Sequence, residues 1–173
     1  SYISECDFII ICVPTPLRKN RPNLDFLKST ITNIIKFLRE NQTIVLESTS
    51  YPGTTREMLS EKLKKKFQLG KNFYLGFSSE RINPGFNENS ISNIPKVVSG
   101  YSNQCLNIIR KFYGRFFKSI VSAKNLEIAE FSKLLENIYR SVNIGFVNEM
   151  KLVADKMGLD IFEILKIAKT KPY

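Results

Sequence analysis

The sequence contains no histidine and only three cysteines in 173 residues. A zinc cluster without histidine would need cysteines grouped at ligand spacing, and Cys6, Cys12 and Cys105 are odd in number and far apart. That spacing also fits neither a disulfide framework nor a CxxC site, so no metal is expected. Long apolar runs are missing too: none approaches the roughly 18 residues of a membrane span. The opening Ser1-Tyr2-Ile3-Ser4-Glu5 lacks the basic and apolar regions of a secretory signal. The expectation is a cytoplasmic protein with no membrane partner. Acidic residues are scarce, 16 against 26 Lys and Arg, leaving a net charge of +10. Such a balance invites a nucleic-acid reading, because Lys and Arg neutralise phosphates and release counterions. The distribution argues against it: most basic residues are scattered, and the tight run Lys64-Lys65-Lys66 closes an amphipathic helix, where cations suit the dipole.

What is present is an alternation of apolar strand-like runs with helical spacing, the signature of a parallel sheet covered by helices. Asp7 to Val13 reads as a strand buried on both faces, with Pro14 ending it. Leu24, Leu27, Ile31, Ile34, Ile35 and Leu38 then recur at helical spacing, and Thr43-Ile44-Val45-Leu46 gives a second buried strand. Thr54 and Glu57 have the spacing of a capping box opening a helix with Met58, Leu59 and Leu63 on its apolar side. Further strands are expected at Phe73 to Phe77, Lys96 to Ser99 and Ser119 to Val121, with a helix from about Asn103 to Phe112. From about Leu126 a long helical stretch reaches Lys156 and stops at Gly158, and Asp160 caps another helix. The sheet-to-helix change near Lys124 is the candidate boundary, giving domains 1–124 and 125–173.

Ligands bind outside the carboxyl ends of strands in open parallel sheets. Three polar clusters occupy those ends: Pro14-Thr15-Pro16, Glu47-Ser48-Thr49 and Ser78-Ser79-Glu80. Each alone is an ordinary strand-end turn, but their recurrence on one edge marks a site. Lys133 and Asn137, at i and i+4, add a polar helical face that Arg140 continues. By spacing alone this face is equally a solvated stripe.

The residues resemble the UDP-glucose/GDP-mannose dehydrogenase family. The resemblance rests on Ile11-Cys12-Val13-Pro14-Thr15-Pro16-Leu17, Leu46 to Thr55, Glu80-Arg81-Ile82-Asn83-Pro84-Gly85 and Lys133 to Arg140, in the family's order across essentially the whole chain. It implies an α/β fold: the later part of a Rossmann-like NAD-binding domain with a parallel sheet, then the long helix and start of a central helical domain. It implies NAD as cofactor, contacted by Val13, Pro14, Thr15, Ser48 and Thr49. Thr49 would also position a catalytic water. Glu80 matches a glutamate that assists proton transfer and thioester hydrolysis, as a carboxylate suited to general-base work. Lys133 and Asn137 match a pair that steadies negative charge on the sugar C6 oxygen. Glu80, Arg81, Lys133, Asn137 and Arg140 would contact a UDP-sugar. The implied reaction oxidises the C6 alcohol to a carboxylate with two NAD, for surface polysaccharide precursors. The implied assembly is a homodimer through the long helix.

Departures refine this reading. Pro84 stands where UDP-glucose enzymes often carry a second glutamate, and Ser79 replaces the usual proline. Tyr51 to Thr55 and Ala168 to Tyr173 look more like the UDP-N-acetylglucosamine 6-dehydrogenase branch, with UDP-glucose or UDP-N-acetylmannosamine as alternatives. The Gly-rich pyrophosphate loop and the family's nucleophilic cysteine are not among these residues, so the chain is expected to be an internal fragment, inactive alone. Cys12 reads as a small apolar filler within its strand. Two other readings stay open: a basic nucleic-acid-binding module, and a reductase using one hydride transfer.

Overall fold

The computed structural model describes residues 2–19, 21–81 and 92–171. Residues 82–85 of the motif that begins at Glu80, Pro84 among them, lie outside the described residues, as do Pro172 and Tyr173.

Five strands form one sheet in the order β1 (Phe8–Ile11), β4 (Thr43–Leu46), β5 (Tyr74–Ser78), β6 (Lys96–Gly100) and β7 (Ile120–Ser122). A two-stranded hairpin, β2 (Leu17–Arg18) with β3 (Arg21–Pro22), follows β1. Pairing is parallel except between β5 and β6, which run antiparallel with Ser78 opposite Val98. The all-parallel expectation therefore fails at one junction. No α-helix separates those two strands among the described residues, and an antiparallel pair needs no crossover helix.

Alternation along the central strands divides the core. Ile44 and Leu46 of β4 and Leu75 and Phe77 of β5 pack with Leu27, Ile31 and Ile34 of α1 (Asp25–Ile34) and with Leu59 and Leu63. Val45 and Val98, on the opposite face, meet Ile109 and Tyr113 of α3 (Asn103–Tyr113). The i, i+4, i+7 spacing of the α1 trio is what lets one helix cover the sheet, each side chain contributing about 1.5–3 kcal/mol. The close fit on the α3 side depends on Gly76, where a Cβ would stand 2.2 Å from Ile109 Cδ1 and 2.3 Å from the Ser99 carbonyl. At α3 the Ser102 hydroxyl caps the first turn by accepting from Cys105 N–H.

Three expectations are corrected. β1 is not buried on both faces: Ile11 is buried, Phe8 and Ile9 are half-buried and Ile10 is exposed, because β1 is the edge strand of this sheet. Cys12 lies beyond the strand and is exposed, so it is not a core filler. The Thr54–Glu57 capping box does not form either. Thr54 is already helical and its hydroxyl donates to the Tyr51 carbonyl, while the Glu57 carboxylate accepts from the Tyr51 hydroxyl. The helix there begins as a π-turn over Thr55–Ser60 and continues as α2 (Glu61–Leu63).

The chain divides into two compact units, 1–134 and 135–173. The first contains the sheet and the opening turns of α4 (Leu126–Lys156), whose Leu126 and Ala129 join the α1-side core. The second contains the remainder of α4 and α5 (Ile161–Ala168). Gly158, at φ 69°, turns the chain after α4, and Asp160 caps α5 by accepting from Phe162 N–H. A groove of about 260 Å³ in the second unit is lined by apolar residues including Phe146, Met150, Ile161 and Leu165. No helix of the described residues is long and apolar enough to cross a membrane.

Candidate active site

The carboxyl ends of β1 and β4 are joined side by side. Val13 N–H donates to Ser48 Oγ at 2.8 Å and the Ser48 hydroxyl returns a bond to the Val13 carbonyl at 2.7 Å. Thr15 donates from its hydroxyl to the Thr49 carbonyl at 2.6 Å. The parallel register, with Ile11 opposite Leu46, brings these residues abreast, and Ser48 is buried between them while Thr49 and Pro14 are exposed. The first two polar clusters thus form one rim. Its hydroxyls and exposed proline face suit a polar ring-bearing ligand, with Ser48 committed to holding the rim together.

The third cluster joins from β5. Ser78 donates to the Val97 carbonyl at 2.9 Å, closing β5 onto β6. Because β6 is antiparallel, its first residue lies on the edge where β1, β4 and β5 end. Lys96 is 4% exposed, and its ammonium stands 3.1 Å from Glu47 Oε1 and 3.6 Å from Glu80 Oε2. It also lies over the Tyr113 and Phe117 rings at 5.3 and 5.4 Å. The Tyr113 hydroxyl donates to the same Glu47 oxygen, and the Cys12 thiol is 3.9 Å from the other. Burial pushes the Tyr113 phenol well up, with Glu47 adding to it. Cys12 is exposed as a residue, but its sulfur turns toward the Glu47 carboxylate, and partial desolvation there, reinforced by the Glu47 charge, raises the thiol and disfavours a thiolate. Glu80 is half-exposed; its Oε1 accepts from Arg81 N–H at 2.6 Å, and the Arg81 guanidinium donates to the Pro95 carbonyl.

A second buried carboxylate holds the loop after β4. Glu130 of α4 is fully buried and accepts from Gly53 N–H at 2.5 Å and Thr55 N–H at 2.8 Å. These are amides at the start of the π-turn helix, where a negative charge suits N–H groups that have no partner within the helix. Burial raises the Glu130 carboxyl above its ordinary range, partly offset by the bonds from Thr55 and Gly53. Lys133 follows one turn later on the same helix and is half-buried. Asn137, half-buried, and Arg140, exposed, lie in the second unit.

The structure therefore brings Val13, Thr15, Ser48 and Thr49 together and links Glu80 to Glu47 through Lys96. Sequence reasoning passed over Lys96, Tyr113 and Glu130. Glu130 did carry a signal, since with Leu126 and Ala129 it falls on the buried stripe at i, i+3 and i+4. Lys96 carried little, being one lysine at the head of an apolar strand.

The NAD binding domain of the UDP-glucose/GDP-mannose dehydrogenase family matches residues 1–117, and that family's central domain matches residues 127–173. Protein CapL of Staphylococcus aureus is 39% identical over 98% of the chain, and a UDP-N-acetyl-D-glucosamine 6-dehydrogenase of Pseudomonas aeruginosa is 34% identical over the same share. The chain spans 41% of the length of each. A solved UDP-D-ManNAc dehydrogenase from Pyrococcus horikoshii superposes with a TM-score of 0.85 at 34% identity, over 96% of this chain and 40% of its own.

Proposed function

Since this chain belongs to the UDP-glucose/GDP-mannose dehydrogenase family, we propose that it forms part of an NAD-dependent UDP-sugar 6-dehydrogenase acting on UDP-N-acetylglucosamine. The observation that carries the reading is the assembly of three strand-end clusters on one sheet edge, with the Glu80 carboxylate held there by a buried ammonium. The alternative sugar, UDP-N-acetylmannosamine, draws support from the Pyrococcus horikoshii likeness, and the 34% identity to the Pseudomonas aeruginosa UDP-N-acetyl-D-glucosamine 6-dehydrogenase supports an N-acetylated sugar over UDP-glucose.

Bound NAD supplies the acceptor for hydride from the sugar C6 carbon. The rim of Val13, Pro14, Thr15, Ser48 and Thr49 fits its nicotinamide end, being rigid, hydroxyl-lined and exposed at Thr49. Thr49 orients water at that rim. Glu80, half-exposed in front of Lys96, takes the proton that must leave the C6 hydroxyl or the attacking water. The family likeness assigns Lys133 and Asn137 to the C6 oxygen, as positive charge and amide donor to the negative charge that grows on it, and Arg81 and Arg140 to UDP-sugar binding. Cys12 is an unsuitable nucleophile, with its thiol raised by burial and Glu47. The exposed apolar residues of the second unit, Val142, Phe146, Phe162 and Ile167 among them, support homodimer formation through the helical domain.

The test is NAD reduction by the full-length protein offered UDP-N-acetylglucosamine, UDP-N-acetylmannosamine and UDP-glucose separately. Two NADH per UDP-N-acetylglucosamine consumed is the expected result. Preference for another sugar corrects the substrate, one NADH per sugar indicates a single hydride transfer, and no turnover with any of them refutes the enzymatic reading.

A further inference from the structure

Lys96, 4% exposed, is the one Lys or Arg among the buried side chains of the described residues. Its surroundings have a front and a back. At the back, Glu47 is 11% exposed and takes the shorter ion pair at 3.1 Å, while the Tyr113 and Phe117 rings cover the ammonium. Tyr113 donates to the same Glu47 oxygen and so fixes that carboxylate in turn. At the front, Glu80 is 46% exposed and its Oε2 lies 3.6 Å from Lys96. The neighbouring tie from Arg81 to the Pro95 carbonyl, at 3.1 Å, fastens the same stretch of chain beside the head of β6.

The antiparallel register explains why this contact exists. With Phe77 opposite Ser99 and Ser78 opposite Val98, two further steps set Glu80 against Lys96. The Lys96 ammonium pairs with Glu47 at 3.1 Å and makes a second ion-pair contact, at 3.6 Å, with Glu80.

We propose that Lys96 is a positioning residue for Glu80: its ammonium, clamped from behind by Glu47 and the Tyr113 and Phe117 rings, fixes the Glu80 carboxylate in the orientation that accepts the proton. This rests on the reading of Glu80 as the proton acceptor. Lys96 itself touches neither sugar nor cofactor. Its removal is therefore felt in turnover and not in substrate affinity, because a displaced base acts on the step after binding.

Lys96→Met alone leaves the buried Glu47 charge without an ammonium partner and endangers folding, so the deciding variant is Lys96→Met with Glu47→Gln. The pair removes both opposed buried charges and keeps an acceptor for Tyr113. The full-length protein is assayed with whichever of the three UDP-sugars it turns over, recording kcat, sugar KM and thermal stability. The expected result is a kcat lowered by about 100-fold, the scale of a misplaced catalytic group, with sugar KM and melting temperature close to those of the unsubstituted enzyme. Glu47→Gln by itself, which loosens Lys96 from behind but leaves its ammonium facing Glu80, lowers kcat by less than the double variant does. A double variant with unchanged kcat overturns the assignment, as does a loss of kcat matched by Glu47→Gln alone. A Glu80→Gln variant that keeps full kcat fails the underlying reading instead, and so separates the two.

Discussion

Removing the Glu130 carboxylate tests whether the loop after β4 is held from α4. Glu130→Ala strips the acceptor from Gly53 N–H and Thr55 N–H, bonded at 2.5 and 2.8 Å to a fully buried side chain. Each orphaned buried amide costs about 1–3 kcal/mol. Gly53 is half-exposed and recovers part through water, so the total is on the order of 3 kcal/mol. Glu130→Gln keeps one acceptor oxygen and costs about 1 kcal/mol. The pH dependence follows from the sign of the shift. Burial, the largest cause, raises the folded-state pKa above the ordinary 4.5. A raised carboxyl means that the folded chain holds the proton more tightly than the unfolded one, so this contribution is complete below the unfolded pKa and is lost as pH rises through the folded pKa. Glutamine has no such proton, and its deficit relative to glutamate therefore shrinks as pH climbs above 4.5. Thermal unfolding followed by circular dichroism across that window measures the gap, and hydrogen exchange of the residue 53 and 55 amides reports the local release. A gap that widens with pH would refute the reasoning, since it would mean that the two amides stabilise the ionised form by more than burial penalises it.

Glu80→Gln, which keeps shape and removes basicity, is expected to lower kcat by about 10²- to 10⁴-fold with little change in sugar KM, read by steady-state NADH formation. Lys96→Met as a single change is expected to destabilise by about 3–5 kcal/mol, because Glu47 at 11% exposure loses its ammonium; denaturation near the unsubstituted midpoint contradicts this. Gly76→Ala pushes a Cβ to 2.3 Å from the Ser99 carbonyl, a backbone atom that the β5–β6 pairing holds in place. A loss of about 1–3 kcal/mol is expected from that overpacking, seen as a lower melting temperature. Cys12, raised by burial and by Glu47, should be alkylated by iodoacetamide more slowly than an unstructured peptide thiol at about pH 8.5, followed by mass spectrometry; equal rates would contradict the placement of Glu47 beside it.

Much of the site was legible in the residues because its parts sit where strands end, and strand ends are marked by a change from apolar runs to Ser, Thr, Pro and Glu. Glu47-Ser48-Thr49 and Ser78-Ser79-Glu80 could be read that way, and the structure puts them at the ends of β4 and β5. Helix stops were equally local: Gly158 takes the positive φ that ends α4, and Asp160 caps α5. The Thr54–Glu57 spacing misled because a cap is decided by which acceptor reaches the amides first. Glu130, from 75 residues away, bonds Thr55 N–H and leaves Glu57 to Tyr51.

The sequence by itself determined which runs are strands and helices, where three of the polar clusters lie, and the family order of the motifs, because these are written in spacings of a few residues. Only the tertiary structure decided that β6 runs against β5, that β1 lies at an edge of this sheet, and that Lys96 bridges two carboxylates. An apolar run of four or five residues buries both faces whichever way its neighbour points, so its sequence holds no record of direction. Direction fixes which end of β6 meets Glu80, and with it which buried charge stands behind the base.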